Sequence, residues 1–222
     1  MIGDILPSAV AVAEEFGDVP DVVLFPDEEA VIARAVDKRR REFSTGRACA
    51  RAALAKLGMP PVPIVPGPRG APQWPPGVVG SITHCAGYRA SAVARDDEVV
   101  TIGLDAEPHD TLPAGVLGAV ASDSEQARLA ALAAARPEVC WDRMLFSAKE
   151  SVYKAWFPLT RRWLGFEEAS VDIDPVAGTF TARLLLTSGG GPVVNGAALT
   201  GFEGRWLVSN GLIATAIAIT AA

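Results

Sequence analysis

Residues 101–108, Thr-Ile-Gly-Leu-Asp-Ala-Glu-Pro, decide how the rest of this chain is arranged. The overlapping run from Val99 to Leu104 is β-branched and apolar, which is typical of a buried strand. Because residues i and i+2 of a strand project to the same side, Asp105 and Glu107 are predicted to face one spot where the strand ends. Two close carboxylates repel each other unless a cation or a proton lies between them, and oxygen ligands suit Mg²⁺. A strand that ends in solvated acids is the alternative, and the stretch alone favours it.

The composition describes a folded, acidic chain of 222 residues. Half of the residues are apolar, which favours a globular protein with one sizeable domain or two small ones. The formal net charge of −6 argues against a nucleic-acid binder, which needs a basic face. The three cysteines form no C-x-x-C pair, a pattern that fits a reducing compartment. Without a signal peptide or a long apolar run, a cytoplasmic protein that does not enter a membrane is expected.

The first predicted helix carries an unusual arginine pattern. Residues 1–26 are expected to form an extended leader, and the helix then runs, with a break, from Asp27 to Leu57. One stripe of about 80° combines apolar residues with two arginines. Its members are Arg39, Phe43, Arg47, Ala50, Leu54 and Leu57. Guanidiniums at the edge of an apolar stripe need anionic partners, and either protein carboxylates or a bound phosphate would serve.

A stiff loop and a histidine follow this helix. The loop spans residues 60–77 and contains Gly67-Pro68-Arg69-Gly70, which could bring backbone groups close to a ligand, although a plain connection is the commoner meaning. His84 follows a predicted strand from Val78 to Ile82, and a lone histidine is more often structural than catalytic.

A second long helix is predicted from Trp141 to Phe157, with Pro158 as its end. Glu150 and Lys154 lie four residues apart on the face opposite its apolar stripe, a spacing that normally gives a surface ion pair. Phe146 shares that side, so the side is expected to be covered.

The order of elements predicts a mixed α+β (α/β) fold of two similar halves. Helix 27–57 precedes strands within 62–107, and helix 141–157 precedes strands within 169–222. Asn210-Gly211 between the last two predicted strands indicates a hairpin. We therefore expect two α+β halves, residues 1–108 and 109–222, in a pseudo-twofold arrangement with Asp105 and Glu107 near the seam.

Three motifs in order resemble those of the Sfp-type 4′-phosphopantetheinyl transferases. They are Ser81-Ile-Thr-His-Cys-Ala-Gly87, Gly103-Leu-Asp-Ala-Glu107 and Phe146-Ser-Ala-Lys-Glu-Ser-Val-Tyr-Lys-Ala155. The resemblance covers about residues 27–175, and the flanking segments resemble the actinobacterial, siderophore-synthase-associated branch. It implies the fold of that family and transfer of 4′-phosphopantetheine from coenzyme A to a serine of an apo carrier protein, with adenosine 3′,5′-bisphosphate as the second product.

The resemblance also implies roles for the matching residues. Asp105, Glu107 and Glu150, with the Ala106 carbonyl, would hold Mg²⁺, or Mn²⁺ in its place, on the coenzyme A pyrophosphate. Glu150 would also be the general base, and Lys154 would neutralise charge on the transferring phosphoryl group. The remaining coenzyme A contacts would be Arg39 and Arg47 at the nucleotide end, Thr83 and His84 at phosphates, with His84 at the 3′-phosphate, and Pro66, Gly67, Pro68 and Arg69 around the adenine. Members of this branch often carry a lysine in that adenine loop, where this chain has Pro66 and Arg69.

The implied partners are acyl or peptidyl carrier proteins, and the apolar residues within 111–120 are a candidate docking surface. The enzyme is expected to act as a monomer. Two other functions stay open from the residues: a Mg²⁺-dependent nucleotide phosphohydrolase that uses the same carboxylates, and an inactive module that binds coenzyme A or a carrier.

Overall fold

The computed structural model describes residues 1–186 and 190–222, and it has the mixed α+β fold that the sequence predicts. The α-helices are α1 (Pro26–Ile32), α2 (Asp37–Lys56), α3 (Leu117–Val120), α4 (Asp123–Ala135) and α5 (Trp141–Thr160). The strands are β1 (Ala11–Phe16), β2 (Val78–Cys85), β3 (Tyr88–Arg95), β4 (Val99–Pro108), β5 (Ala169–Asp174), β6 (Thr179–Leu184), β7 (Val193–Val194), β8 (Ala197–Ala198), β9 (Gly201–Ser209) and β10 (Leu212–Thr220).

Each of the two larger sheets carries one long helix. One sheet has the antiparallel order β1-β3-β2, and α2 packs on β1 and β3. The other has the antiparallel order β4-β10-β9-β6-β5, and α5 packs on β4 and β10. Since β4 pairs with β10, the second sheet includes a strand that precedes residue 108, and the division of the chain at that residue stays a prediction.

Side-chain hydroxyls join the two sheets where β2 lies beside β4. The Leu104 N–H donates to Ser81 Oγ at 3.2 Å, and the Ala106 N–H donates to Thr83 Oγ1 at 3.0 Å. Ser81 contacts Leu104, and Thr83, two residues later, contacts Ala106. The residue numbers of the two strands rise together, so β2 and β4 run in the same direction at this seam. The carboxyl ends of both strands, with the second and first motifs, therefore meet at one place.

Two segments differ from the expectation. Residues 11–16 are extended, as expected, but they form β1, which pairs with β3 along its whole length, so they belong to a sheet and are not a leader laid over the domain. Helix α5 continues through Pro158 to Thr160 and does not end at Phe157. A proline removes a single backbone hydrogen bond, and the burial of Phe157 with the left-handed cap at Arg161 keeps the last turn in place.

The first helical region divides as expected, into α1 and α2. In neither of the described ranges does a helix have both the length and the apolar character needed to cross a membrane.

Candidate active site

Helix α5 lies very close to β4, and a glycine makes this approach possible. A Cβ on Gly103 would be 1.9 Å from the carbonyl oxygen of Ser151, which no side chain tolerates. One turn further along the helix, the Thr101 hydroxyl donates to the Ala155 carbonyl at 2.8 Å. The glycine of the second motif therefore sets the distance at which α5 presents its polar side chains to the acidic end of β4.

The first acid of β4 is held by Lys154. The ammonium lies 2.7 Å from Asp105 Oδ1, and the Thr83 hydroxyl is 3.4 Å from the same oxygen. Asp105 Oδ2 is buried and has no hydrogen-bond partner within residues 1–186 and 190–222. Lys154 thus pairs with a carboxylate on β4, 49 residues away in the chain, and not with Glu150 on its own helix.

The second acid of β4 is held by Arg143, a residue that the motif comparison does not include. Arg143 Nη1 lies 3.0 Å from Glu107 Oε2, and both side chains are mostly buried. Burial and the nearby Asp105 charge raise the pKa of Glu107 to about 7, against the opposing effect of Arg143. No sequence signal marks Arg143, because an arginine in the first turn of a helix is usually a solvated side chain.

The predicted base, Glu150, has a free carboxylate. Nothing in the described part of the chain makes a hydrogen bond or an ion pair with it. Burial, followed by the charge of Asp105, raises the pKa of Glu150 above its ordinary value. A half-buried carboxylate with a raised pKa and no partner is suited to accept a proton.

The predicted metal ligands lie at the same end of the seam but do not close around a cation. Across the residues that the structure describes, no group of three histidine, cysteine, aspartate or glutamate side chains is gathered tightly enough to hold a metal. Lys154 pairs with Asp105, and Arg143 pairs with Glu107. The Ala106 N–H points at β2, and in an extended strand the carbonyl of the same residue leaves on the same edge. That carbonyl therefore faces the seam.

At the nucleotide end predicted from the motifs, Arg39 and His84 are in contact. Arg39 Nη1 lies 3.0 Å from His84 Nε2. Glu42 Oε2 lies 4.0 Å from Arg39 Nη1 and 3.9 Å from His84 Nδ1. Burial, then the charge of Arg39, lowers the pKa of His84, so the ring is neutral at pH 7 and accepts from the guanidinium. Thr83 lies elsewhere: its hydroxyl is buried and engaged by β4, which leaves no free hydroxyl for a phosphate.

Arg47 is a buried cation, and no carboxylate of the described residues lies at hydrogen-bond distance from it. Its Nε donates to the Ile64 carbonyl at 2.6 Å, and its guanidinium stacks 3.9 Å from the centre of the Phe43 ring. Burial lowers the pKa of Arg47 to about 10. The sequence leaves either a protein carboxylate or a bound phosphate as the partner of the helix arginines. The Glu28 carboxylate pairs with Arg51 and not with Arg47.

The loop that holds Pro66, Gly67, Pro68 and Arg69 is closed on itself. Pro66 bridges to Pro72, and the Gly67 N–H donates to the Ala71 carbonyl at 2.8 Å. The loop arches towards the end of α5, where the Arg69 guanidinium lies 5.0 Å from the centre of the Trp163 ring.

Two cavities flank Glu150. The larger, about 580 Å³, lies between the 69–74 loop, β2, the start of β4 and α5, and it includes Lys154. The smaller, about 230 Å³, is lined by Tyr153, Trp163 and Phe166. These three aromatic residues come from α5 and the segment after it, and the sequence signals them only through the expectation that this side of α5 is covered.

The predicted docking segment, residues 111–120, starts beside this site. Leu112, Val116 and Leu117 are half-buried, and the four-residue helix α3 occupies the end of the segment.

Comparisons with known proteins agree with the motifs. The sequence model described as 4′-phosphopantetheinyl transferase N-terminal domain matches residues 27–94, and that of the 4′-phosphopantetheinyl transferase superfamily matches residues 101–197. The 4′-phosphopantetheinyl transferase Svp of Streptomyces mobaraensis is 58% identical over 100% of this chain and 90% of its own. Npt of Nocardia iowensis is 51% identical over 98% and 99%, and PptT of Mycobacterium tuberculosis is 48% identical over 99% and 98%.

Proposed function

Because the chain belongs to the 4′-phosphopantetheinyl transferase superfamily, we propose that it moves phosphopantetheine from coenzyme A to a serine of an apo acyl or peptidyl carrier protein. The proposed active site lies at the seam between β2 and β4, where the carboxyl end of β4 faces α5. The transferase activity itself follows from the family. The observation that supports this placement is the Glu150 carboxylate, which has no partner in the described part of the chain and lies beside the Asp105–Lys154 ion pair.

The residues at the seam fit a divalent cation. Asp105 has a buried oxygen without a hydrogen-bond partner in the described ranges. The candidate metal ligands are all carboxylate or carbonyl oxygens. Burial and the charge of Asp105 raise the pKa of both Glu107 and Glu150, the response expected where carboxylates accumulate without a cation. Asp105, the Ala106 carbonyl, Glu107 and Glu150 would hold the ion. Mg²⁺, or Mn²⁺ in its place, would neutralise pyrophosphate oxygens when bound.

The side chains of the chain itself supply the proton transfer and the fixed positive charge. Glu150 takes the proton from the carrier serine as the serine oxygen attacks the phosphorus attached to pantetheine. The bond from that phosphorus to the bridging oxygen breaks, and adenosine 3′,5′-bisphosphate leaves. Lys154 spends one of its three N–H groups on Asp105, so two remain to stabilise the phosphoryl oxygens.

Side chains of α2 and β2 are suited to the nucleotide end of coenzyme A. Arg39 and neutral His84 form one donor pair, and Arg47 presents terminal guanidinium nitrogens that lack a protein partner in the described structure. Arginine matches phosphate oxygens with a rigid fork. Pro66, Gly67, Pro68 and Arg69 would frame the adenine.

The carrier is proposed to dock on residues 111–120, which carry the half-buried Leu112, Val116 and Leu117. This segment begins beside Arg143, the partner of Glu107. Because all these side chains come from one chain, a monomer suffices. The cysteines are free, which fits action in the reducing cytoplasm.

Incubation of an apo carrier with coenzyme A and Mg²⁺ tests the proposal, with the carrier mass as the readout. We expect the carrier to gain one phosphopantetheine group, and Glu150→Gln and Asp105→Ala to abolish the gain. Glu203→Gln is the matched control, because this glutamate on β9 is exposed and its side chain accepts a hydrogen bond from the Thr181 hydroxyl, away from the site. Full transfer by either site variant would refute the assignment of the site.

The two alternatives give different results in the same tube. Consumption of coenzyme A without a carrier would indicate a phosphohydrolase that uses water as the nucleophile. Binding of coenzyme A without transfer to any member of a panel of fatty-acid, polyketide and nonribosomal-peptide carriers would indicate a binding module.

A further inference from the structure

We propose that Arg143 is a positioning residue that orients the Glu107 carboxylate for the divalent cation, with the backbone of residues 110–111 as its anchor. The inference rests on the proposed metal site but not on the transfer reaction. It concerns a residue outside the three motifs.

The guanidinium of Arg143 is fixed at three points. Its Nε donates to the Asp110 carbonyl at 3.1 Å and its Nη2 donates to the Thr111 carbonyl at 2.8 Å. The third nitrogen, Nη1, donates to Glu107 Oε2 at 3.0 Å. A planar fork with two backbone contacts has no freedom to turn, so the third contact defines where the carboxylate lies.

The anchor is itself fastened to the start of α5. Asp142 Oδ2 accepts from the Leu112 N–H at 2.8 Å, and His109 Nε2 accepts from the Cys140 N–H at 3.1 Å. Residues 109–112 are thus tied to the first turn of α5 by bonds that do not involve Arg143. The support for the guanidinium persists when its contact with Glu107 is lost.

Glu107 needs such a partner because it lies where the strand ends. Its backbone is one residue from the end of the β4–β10 pairing, at Pro108, and its side chain has three rotatable bonds. Arg143 takes one carboxylate oxygen and leaves Oε1 for another ligand. Groups that hydrogen-bond a metal ligand from outside typically set metal affinity by 10–100-fold. The competing view is that Arg143 occupies the place of the cation, and the two views predict opposite signs.

The test is a titration of the full chain with Mn²⁺ alone, in which electron paramagnetic resonance counts the free ion. We expect Arg143→Gln and Arg143→Lys each to weaken Mn²⁺ binding by roughly 10–100-fold. Lysine keeps the charge but lacks the rigid planar fork that the two backbone carbonyls hold in place, so it should not rescue Mn²⁺ binding. Arg136→Gln is the matched control, because Arg136 also bonds a carboxylate and a backbone carbonyl, those of Glu138 and Pro175; it should leave binding unchanged.

A double variant separates positioning from loss of fold. In a Glu107→Gln background, Arg143→Gln should have no further effect on Mn²⁺ affinity, whereas general damage to the fold would add to the first loss. Tighter binding by Arg143→Gln, unchanged binding, or full rescue by lysine would each overturn the inference. If the wild-type chain binds no Mn²⁺, the metal site falls and the inference with it. If binding follows the expected pattern but transfer to carriers is absent, the inference stands and the proposed reaction fails.

Discussion

Replacing Gly103 with alanine should separate α5 from β4. The new Cβ would lie 1.9 Å from the Ser151 carbonyl oxygen, with Ala155 N at 2.8 Å as the next contact. An ordinary carbon–oxygen contact is about 3.3 Å, so the helix must retreat by about 1.4 Å. A displacement of that size would take the Lys154–Asp105 contact from 2.7 Å to about 4 Å, beyond hydrogen-bond distance.

The consequences can be estimated for both rate and stability. A misplacement of about 1 Å in an active site costs about 100-fold in rate, and overpacking of a core costs about 1–3 kcal/mol. For a chain of this size the thermal midpoint should fall by roughly 2–12 °C. The assays are the initial rate of holo-carrier formation and thermal unfolding followed by circular dichroism.

Gly3→Ala is the matched control for this substitution. Gly3 is exposed in the short 3-10 helix Ile2–Ile5, far from the proposed site in the chain, and an added Cβ would make only an ordinary contact, 3.9 Å from Val12 Cβ. That variant should keep the wild-type rate and midpoint. A Gly103→Ala enzyme with an unchanged midpoint and full rate would refute the close packing of α5 on β4 as the device that places Lys154.

Three further perturbations test other parts of the site. The folded-state pKa of Glu107 is raised to about 7, so the stability that this group contributes is fully present below its pKa in the unfolded chain and is lost as pH rises through 7. Urea titrations at a series of pH values without metal should show this fall in unfolding free energy, and Glu107→Gln should lessen it. Lys149→Met should cost about 3–5 kcal/mol in urea unfolding, because it strands the buried Glu125 carboxylate that lies 2.9 Å from its ammonium, and a Glu125→Gln background should reduce the cost. Arg39→Ala and His84→Ala should each raise the KM for coenzyme A by roughly 10-fold through a lost charge-assisted contact, whereas an equal rise for 3′-dephospho-coenzyme A would show that neither residue contacts the 3′-phosphate.

Local patterns predict most of the secondary structure. Asn210 and Gly211 both have positive φ, 53° and 71°, as the tight turn between β9 and β10 requires. The Asn-Gly pair by itself therefore predicts the hairpin. The side to which each side chain of β4 points is also predicted by the sequence. Asp105 and Glu107 contact residues of α5, on the same side of the strand as Thr101. Period-2 geometry acts within one strand and needs no information from elsewhere in the chain.

Contacts between distant segments explain the errors. Strand β1 depends on pairing with β3, more than seventy residues later, and its own composition resembles a leader. The end of α5, beyond Pro158, depends on burial of Phe157 and on the left-handed cap at Arg161. Intrinsic helix propensity contains neither of these contributions.

The sequence alone predicted which residues would carry the chemistry, because the carboxylates at the end of β4, Glu150 and Lys154 stand in motifs whose order and spacing are local properties. Only the tertiary structure decided how these groups are partnered. Lys154 pairs with Asp105, Arg143 pairs with Glu107, and Glu150 has no such partner within residues 1–186 and 190–222. The reason is that an ion pair depends on which side chains meet across elements, here α5 lying on β4 at Gly103, and no spacing along a single element contains that distance.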